Sequence, residues 1–136
     1  MLKVVVLAIG LFLVVTGFIF MLNNKKTYPD WNGYKVVDYK LEGVSYRLAV
    51  ADTPAKWEQG LMYVVKPVAV QGMVFIFPNE KYREFWNQNT HLDLQLFWLS
   101  NGTVVQTNTL PSIDKSGSVF TIKSQKVVDT VIEIIK

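Results

Sequence analysis

Five polar side chains recur at every second position of one segment, and they are the residues of this sequence most able to do chemistry. In an unbroken strand, alternate residues project from one face at intervals of about 6.6 to 6.8 Å. Such a row of amides, imidazole and carboxylate could hydrogen-bond a polar small molecule, a glycan or a protein partner. Trp86 would add a stacking surface if a bulge or strand end turned it to that side. The five residues are Asn87, Asn89, His91, Asp93 and Gln95.

The same residues have other interpretations, which the sequence leaves open. They fit a solvated strand face opposite the core, with Asn89 and Thr90 bonding a neighbouring loop. Metal binding at His91 and Asp93 would need further oxygen ligands from elsewhere, and we predict neither a metal nor another cofactor. A small hydrolase-like enzyme using His91 and Asp93 is an alternative function. A serine triad would have to use this single histidine, and the sequence has no G-x-S-x-G motif.

Strands must position these residues, because apolar and polar residues alternate over much of the chain. The longest alternation runs from Arg83 to Leu99 and predicts one continuous strand. Val44 to Val50 shows the same period of two, with a turn before it at Glu42-Gly43. Asn101-Gly102 is the strongest hairpin signal, because a type I′ turn requires positive φ at both central positions. Further strands are predicted over Met73–Phe77, Thr103–Thr107, Val119–Ile122 and Val127–Ile135.

One short helix interrupts the strands over residues 53–59. Asp52 or Thr53 can cap it, Pro54 suits its first turn and Gly60 suits a left-handed exit. Many short strands with one small helix predict an all-β fold, either a sandwich or an open barrel. We place this globular domain over residues 36–136, after a linker over residues 27–35.

Residues 1–26 are predicted to be a membrane anchor. Val4 to Leu22 is a run of 19 residues without a charge, and a helix of that length rises about 28 Å, close to the hydrocarbon thickness of a bilayer. A cleaved signal peptide is the main alternative, although no A-x-A-like cleavage site follows Leu22. We predict a single-pass protein of the cytoplasmic membrane with its domain on the outer face. The positive charges on the two sides of the segment are nearly balanced, so the positive-inside rule gives little support to either orientation.

The charge of the chain argues against nucleic-acid binding. Fourteen basic and eleven acidic residues give a net charge of +3. Lys3, Lys25 and Lys26 flank the hydrophobic segment and account for the whole excess, so the domain itself is neutral. A nucleic-acid interface needs a basic surface to neutralise phosphates. The absence of cysteine excludes disulfides and thiolate chemistry.

Four blocks carry a resemblance to a known family: ADTPAKWEQGLM (51–62), GMVFIF (72–77), FWNQNT (85–90) and NGTVV (101–105). Their order and spacing resemble the bacterial and archaeal domain of unknown function 192 family, across nearly all of residues 44 to 133. The resemblance implies a compact β-sandwich-like fold, often exported or membrane-anchored, and it implies no established activity.

The departures from the family pattern fall on charged positions. Arginines of the pattern are Trp57 and Val64 here, a lysine is Gln88, and an aspartate is Gln95. A methionine of the pattern is Asn87. The resemblance therefore implies that this chain keeps mainly scaffold residues, which are Gly60, Met62, Gly72, Phe85, Thr90 and Gly102.

Together these observations predict a membrane-anchored extracytoplasmic domain whose biochemical activity is unknown, most simply a binding or interaction module. The alternatives are the hydrolase-like enzyme described above and a structural accessory subunit of a membrane complex.

Overall fold

The computed structural model describes Trp31, residues 33–66 and residues 68–136. The domain is built from eight strands and two short helices within these residues, so the predicted β-rich fold is confirmed and a second helix is added. In chain order the elements are β1 (Val36–Leu41), β2 (Val44–Ala51), α1 (Pro54–Gln59), β3 (Gly72–Lys81), β4 (Glu84–Trp86), β5 (Leu94–Ser100), β6 (Thr103–Leu110), α2 (Ile113–Ser116), β7 (Thr121–Lys123) and β8 (Val128–Ile135).

Six of the strands form one mixed sheet in the order β1-β2-β3-β8-β5-β6, and β4 pairs with β7 in a separate ribbon. β2 and β3 run parallel, while the other described pairs are antiparallel. Parallel neighbours need a crossover connection, and residues 52–71, which include α1, provide it. β8 follows all the other strands in the chain and lies between β3 and β5.

Both predicted hairpin turns are confirmed, and positive φ angles explain their residues. Asn101 and Gly102 have φ of 48° and 78°, and they join β5 to β6. Glu42 and Gly43 have φ of 49° and 86°, and they join β1 to β2. Glycine and asparagine adopt these angles at least cost, so Asn101, Gly102 and Gly43 marked the two turns in the sequence, whereas Glu42 adopts its positive φ at a cost.

Buried apolar residues form two clusters on opposite faces of the large sheet. The period of two sends adjacent residues of one strand to different faces. Val131 and Ile132 of β8 show this, because they belong to different clusters. The larger cluster includes Ala49, Met73, Phe75, Leu96, Trp98 and Val131. The smaller one is formed by Leu41, Leu48, Val50, Val74, Leu99 and Ile132.

The prediction of one continuous strand over residues 83–99 is wrong. The chain forms β4, leaves the sheet after Trp86 and starts β5 only at Leu94. Asn89 between them has φ of 53°, which a pleated strand cannot contain. The strand predicted over residues 119–122 is found as the shorter β7, which begins two residues later, at Thr121, and ends at Lys123.

α2 is a single turn that the sequence analysis missed. Ser112 caps it by accepting a hydrogen bond from the Lys115 amide, and Gly117 ends it in the left-handed conformation. Four residues are too few to show helical periodicity, so only its caps could have revealed it.

The predicted anchor (1–26) and most of the predicted linker lie outside the described residues. Within the described ranges, no helix combines the length and apolar character needed to cross a bilayer.

Candidate ligand-binding cavity

A cavity of about 720 Å³ opens on the face of the sheet that carries the larger apolar cluster. It lies between α1 with the loop that follows it, β3 and β8 of the large sheet, and the β4–β7 ribbon. This volume is within the range of small-molecule sites in proteins. Six apolar side chains line it: Trp57, Leu61, Met62, Phe75, Phe77 and Phe85.

Trp57 fixes α1 as one wall of the cavity. Its indole Nε1–H donates to the carbonyl oxygens of Ala51, at 3.0 Å, and Ile76, at 3.1 Å. These carbonyls belong to β2 and β3, so one side chain ties the helix to two neighbouring strands. The indole ring also packs on Phe77 with ring centroids 5.0 Å apart. The helix begins where the sequence predicts, with the Thr53 side chain accepting from the Lys56 amide.

Edge-to-face aromatic contacts form the opposite wall. Phe85 of β4 meets Phe75 of β3 at 4.8 Å between ring centroids, and Trp98 of β5 at 5.3 Å. Such geometry is favourable because the positive ring edge points at the negative ring face. Phe85 therefore joins the ribbon to the large sheet and faces the cavity as well.

Glu133 of β8 contributes a buried carboxyl group to the cavity. Its flanking residues in the sheet are Met73 on β3 and Leu96 on β5, both apolar and fully buried. The residue is only 4% exposed, and no hydrogen bond to its carboxyl oxygens is formed within the described part of the chain. Burial raises the pKa of Glu133 from 4.5 to about 8, because an apolar environment disfavours the charged form. Burying a carboxyl group that no protein group hydrogen-bonds lowers the stability of the folded domain when no ligand is bound.

Gly72 explains how β8 can lie so close to β3 beside this carboxyl. A Cβ atom at position 72 would stand 1.9 Å from the Glu133 carbonyl oxygen, far inside contact distance. Only glycine fits there, so its place in the family motif has a direct steric cause. Gly60, Met62, Phe85 and Thr90, which the resemblance marks as scaffold, line the cavity itself.

Charged and aromatic side chains form the rim. Glu58 and Glu84 line it, together with Tyr82 and Trp86, which are 70% and 49% exposed. Arg83 also lines the cavity, with its guanidinium 3.6 Å above the centroid of the Phe77 ring.

The Arg83 guanidinium already has partners. Its Nη2 group donates to the Asn79 carbonyl at 2.8 Å, and Nε donates to the Val128 carbonyl at 3.4 Å. The charge of Asp129 acts on it as well. The arginine therefore does not serve as the counter-ion of Glu133.

The predicted row of five polar residues is not formed, because the segment that contains it turns instead of extending. Asn87 is fully buried. Its Nδ2 donates to the Pro111 carbonyl at 2.8 Å and the Ser116 hydroxyl at 2.7 Å, and its Oδ1 accepts from the Phe120 amide at 2.7 Å. Asn87 thus anchors the segment between β6 and β7. Trp86 is the one member of the predicted ligand set that lines the large cavity.

Asn89 and Thr90 bond neighbouring loops through their backbones, as the simpler interpretation expects. The Asn89 carbonyl accepts from the Tyr63 amide, and the Thr90 carbonyl accepts from the Ile113 amide, each at 2.8 Å. Gln95 lies on β5 and accepts from the Thr109 hydroxyl at 3.3 Å.

His91 and Asp93 border a smaller hollow of about 340 Å³, but each is bonded to a different partner. His91 Nδ1 lies 2.7 Å from an Asp114 carboxylate oxygen. Asp93 accepts from the Ser112 amide at 2.8 Å and from Lys115 Nζ at 3.2 Å. The Ser112 amide bond, followed by the Lys115 bond, lowers the pKa of Asp93. A ligand role for these residues stays a prediction.

Sequence reasoning missed Glu133, although a signal was present. In β8 the residues Val131, Glu133 and Ile135 share one face by the period of two, and that face belongs to the core. A lone carboxyl among core positions is unusual and could have been singled out. Among the described residues, no group of three or more histidine or acidic side chains is arranged to hold a metal ion.

Comparison with known proteins gives a family match and two similar folds. The family model for domain of unknown function 192, described as “Uncharacterized ACR, COG1430”, matches residues 37–136. No curated protein sequence matches the chain significantly. A Sinorhizobium meliloti 1021 protein, named as a candidate transcription regulator, is 28% identical and aligns with a TM-score of 0.57 over 75% of this chain and 79% of its own. A Novosphingobium aromaticivorans DSM 12444 protein of unknown function is 18% identical, with a TM-score of 0.54 over 80% and 86%.

Proposed function

This chain belongs to the domain of unknown function 192 family, and from that premise we propose that it is a membrane-anchored binding module that holds a small molecule in the cavity beside Glu133. The domain is proposed to face outward from the cytoplasmic membrane, tethered by residues 4–22. The charge-free run of 19 residues supports the tether.

A buried carboxyl that has no protein partner and faces a roomy apolar cavity is the observation that carries the proposal. Glu133 costs stability in the ligand-free domain, since its carboxyl group is largely removed from bulk water and no protein group hydrogen-bonds it among the described residues. Aromatic walls with one well-placed polar group are typical of small-molecule sites. Such a residue is best explained by a ligand that supplies the missing partner.

A hydrolase using His91 and Asp93 is less well supported by the geometry. The imidazole is paired with Asp114, while Asp93 accepts from the Ser112 amide and from Lys115 Nζ. In the residues that the structure describes, no hydroxyl group donates to a ring nitrogen of His91, so a nucleophile and base are not assembled.

Transcription regulation, which the name of the Sinorhizobium meliloti relative suggests for that protein, is not extended to this chain. The domain after the proposed anchor carries equal numbers of acidic and basic residues. That balance provides no basic footprint for DNA.

A ligand screen on the full chain in lipid nanodiscs tests the proposal, with thermal unfolding followed by tryptophan fluorescence. Thr121 lines the cavity mouth opposite Trp86 in the ribbon, so Thr121→Trp should block entry and abolish ligand-induced stabilisation. Thr103→Trp places the same side chain at an exposed strand position away from the cavity and should keep it. A screen without any stabilising compound refutes the binding function. Stabilisation lost in His91→Ala but kept in Thr121→Trp would move the site to the smaller hollow.

The proposed tether has its own test. We expect the chain to resist carbonate extraction from membranes, and a periplasmic reporter fused after Lys136 to be active. Release by carbonate refutes the anchor, and activity of a cytoplasmic reporter instead reverses the orientation. A structural accessory role would appear as a stoichiometric membrane partner that survives blocking of the cavity.

A further inference from the structure

Glu133 points to the chemical class of the ligand. The residue is only 4% exposed and lines the cavity. Among the described residues, no group hydrogen-bonds its carboxyl oxygens. A carboxylate accepts hydrogen bonds and attracts positive charge. A ligand group that donates N–H bonds and carries a positive charge would satisfy both needs at once.

The groups facing Glu133 include, among the residues that the structure describes, no side chain that pairs with its carboxyl group. In the sheet it is flanked by Met73 and Leu96, which carry no charge. Across the cavity stand Glu58 from α1, Tyr82 and Arg83 from the segment before β4, and Glu84 from β4 itself. Arg83 is held by two backbone carbonyls. With Glu133 ionised, the cavity carries three carboxylates against one guanidinium.

The aromatic walls of the cavity also attract a cation, in addition to the carboxylates. Aromatic ring faces attract positive charge, and the attraction grows when water is excluded. One wall residue already does so, because Arg83 lies 3.6 Å above the Phe77 centroid. Trp57 and Phe85 present further aromatic surface to the cavity.

We infer that the cavity selects an organic amine in its cationic form, with the ammonium group at Glu133 and an apolar body against the aromatic walls. This inference rests on the proposed binding function and names its ligand class. With Glu133 ionised, an anionic ligand would meet three like charges, and a neutral ligand could donate a hydrogen bond but would leave the carboxylate without a counter-charge. No covalent step is involved.

Binding of the amine is coupled to release of a proton. Burial raises the pKa of Glu133 to about 8, so the empty site is mostly neutral at pH 6. Only the ionised form pairs with an ammonium group, and the affinity measured is reduced by the fraction of sites in the competent form. The affinity for the cation therefore rises with pH up to about pH 8, whereas the affinity for a neutral hydrogen-bond acceptor falls.

Three probes of similar size and different charge test the inference: 2-phenylethylammonium, 2-phenylethanol and 3-phenylpropanoate. Their affinities are measured by calorimetry on the full chain in nanodiscs at pH 6 and pH 8. We expect the ammonium to bind at least tenfold more tightly than the alcohol at pH 8, and its affinity to rise at least tenfold from pH 6 to pH 8. Glu133→Gln should remove this preference and pH dependence. Asp38→Asn, which removes an exposed carboxylate of β1, should retain both.

Equal or tighter binding of the alcohol or the carboxylate overturns the inference, as does cation binding that Glu133→Gln leaves unchanged. Failure of all three probes overturns it as well. The proposed binding function survives each of these results if the broader screen yields another ligand whose binding Thr121→Trp abolishes. An empty screen overturns the function itself, so the two failures are distinguishable.

Discussion

The substitution Glu133→Gln keeps the size of a buried side chain and removes its ability to ionise. In the folded protein burial raises the pKa of Glu133 from 4.5 to about 8. Below pH 4.5 the carboxyl is protonated in both states and does not affect the pH dependence. Between these values the unfolded chain releases the proton while the folded domain retains it, so stability falls as the pH rises. Above about pH 8 both states are ionised and the loss is complete.

The size of the loss follows from the two pKa values. Each pH unit between them corresponds to 1.36 kcal/mol, which gives about 5 kcal/mol in total. Water entering the cavity would relieve part of the burial, so we expect a loss of about 3 to 5 kcal/mol. This is a large share of the 5–15 kcal/mol typical of whole domains. For a domain of this size it corresponds to a fall in Tm on the order of 20 °C.

Thermal unfolding of the full chain at pH 5, 6, 7, 8 and 9, followed by tryptophan fluorescence, measures the effect. The Tm of the wild-type chain should fall steeply over this range, and Glu133→Gln should flatten the fall. The difference between the two profiles isolates Glu133 from other titrating groups. Asp38→Asn controls for the loss of one negative charge and should follow the wild type. Parallel profiles for the wild type and Glu133→Gln would show that the carboxyl ionises freely in the folded state, and would refute the reasoning.

Three further predictions concern the residues that build the cavity and its surroundings. Gly72→Ala should cost about 3 kcal/mol or more, because its Cβ would overlap the Glu133 carbonyl; chemical denaturation measures this, with exposed Ser45→Ala as a near-neutral control. Asn87→Ala should cost about 3 kcal/mol, because it removes three hydrogen bonds and leaves the Pro111 carbonyl and the Phe120 amide without their side-chain partner, whereas the exposed neighbour Gln88→Ala should change stability by less than about 0.5 kcal/mol. Trp57→Phe should cost about 1 to 2 kcal/mol through its two lost indole bonds. Hydrogen exchange should then speed up in α1 more than in β5, and uniform protection would contradict this role.

The parts of the fold that could be predicted from sequence are those encoded by neighbouring residues. The Asn101-Gly102 turn follows from the backbone angles that these residues tolerate, and α1 follows from its Thr53 cap and Pro54. Alternation of apolar and polar residues located β2, and the many β-branched residues of Val127–Ile135 located β8.

Alternation failed between Asn87 and Asp93, where polar residues at every second position do not lie on a strand. There the side chains bond to segments far along the chain: Asn87 to Pro111 and Phe120, and Asp93 to Ser112. Such long-range contacts leave no local pattern, so the same periodicity fits a turn as well as a strand.

The cavity itself could not be predicted, because it depends on the register between strands. Met73 and Leu96 flank Glu133 only because β8 lies between β3 and β5. No local pattern brings together a helix from the β2–β3 crossover, a ribbon made from two distant strands and one carboxyl of β8. The sequence shows Glu133 as an acidic residue among core positions of β8, but it does not show which residues surround it.

The central place of β8 also sets the order in which the domain can be completed. β1, β2 and β3 can pair with one another, and β5 can pair with β6, but the two groups have no edge in common until residues 128–135 join them. A ribosome therefore releases most of this chain before the sheet can close, and the open edges of β3 and β5 are available for wrong pairing during that interval. Chains truncated before Val128 should accordingly aggregate or recruit chaperones instead of forming a smaller native domain.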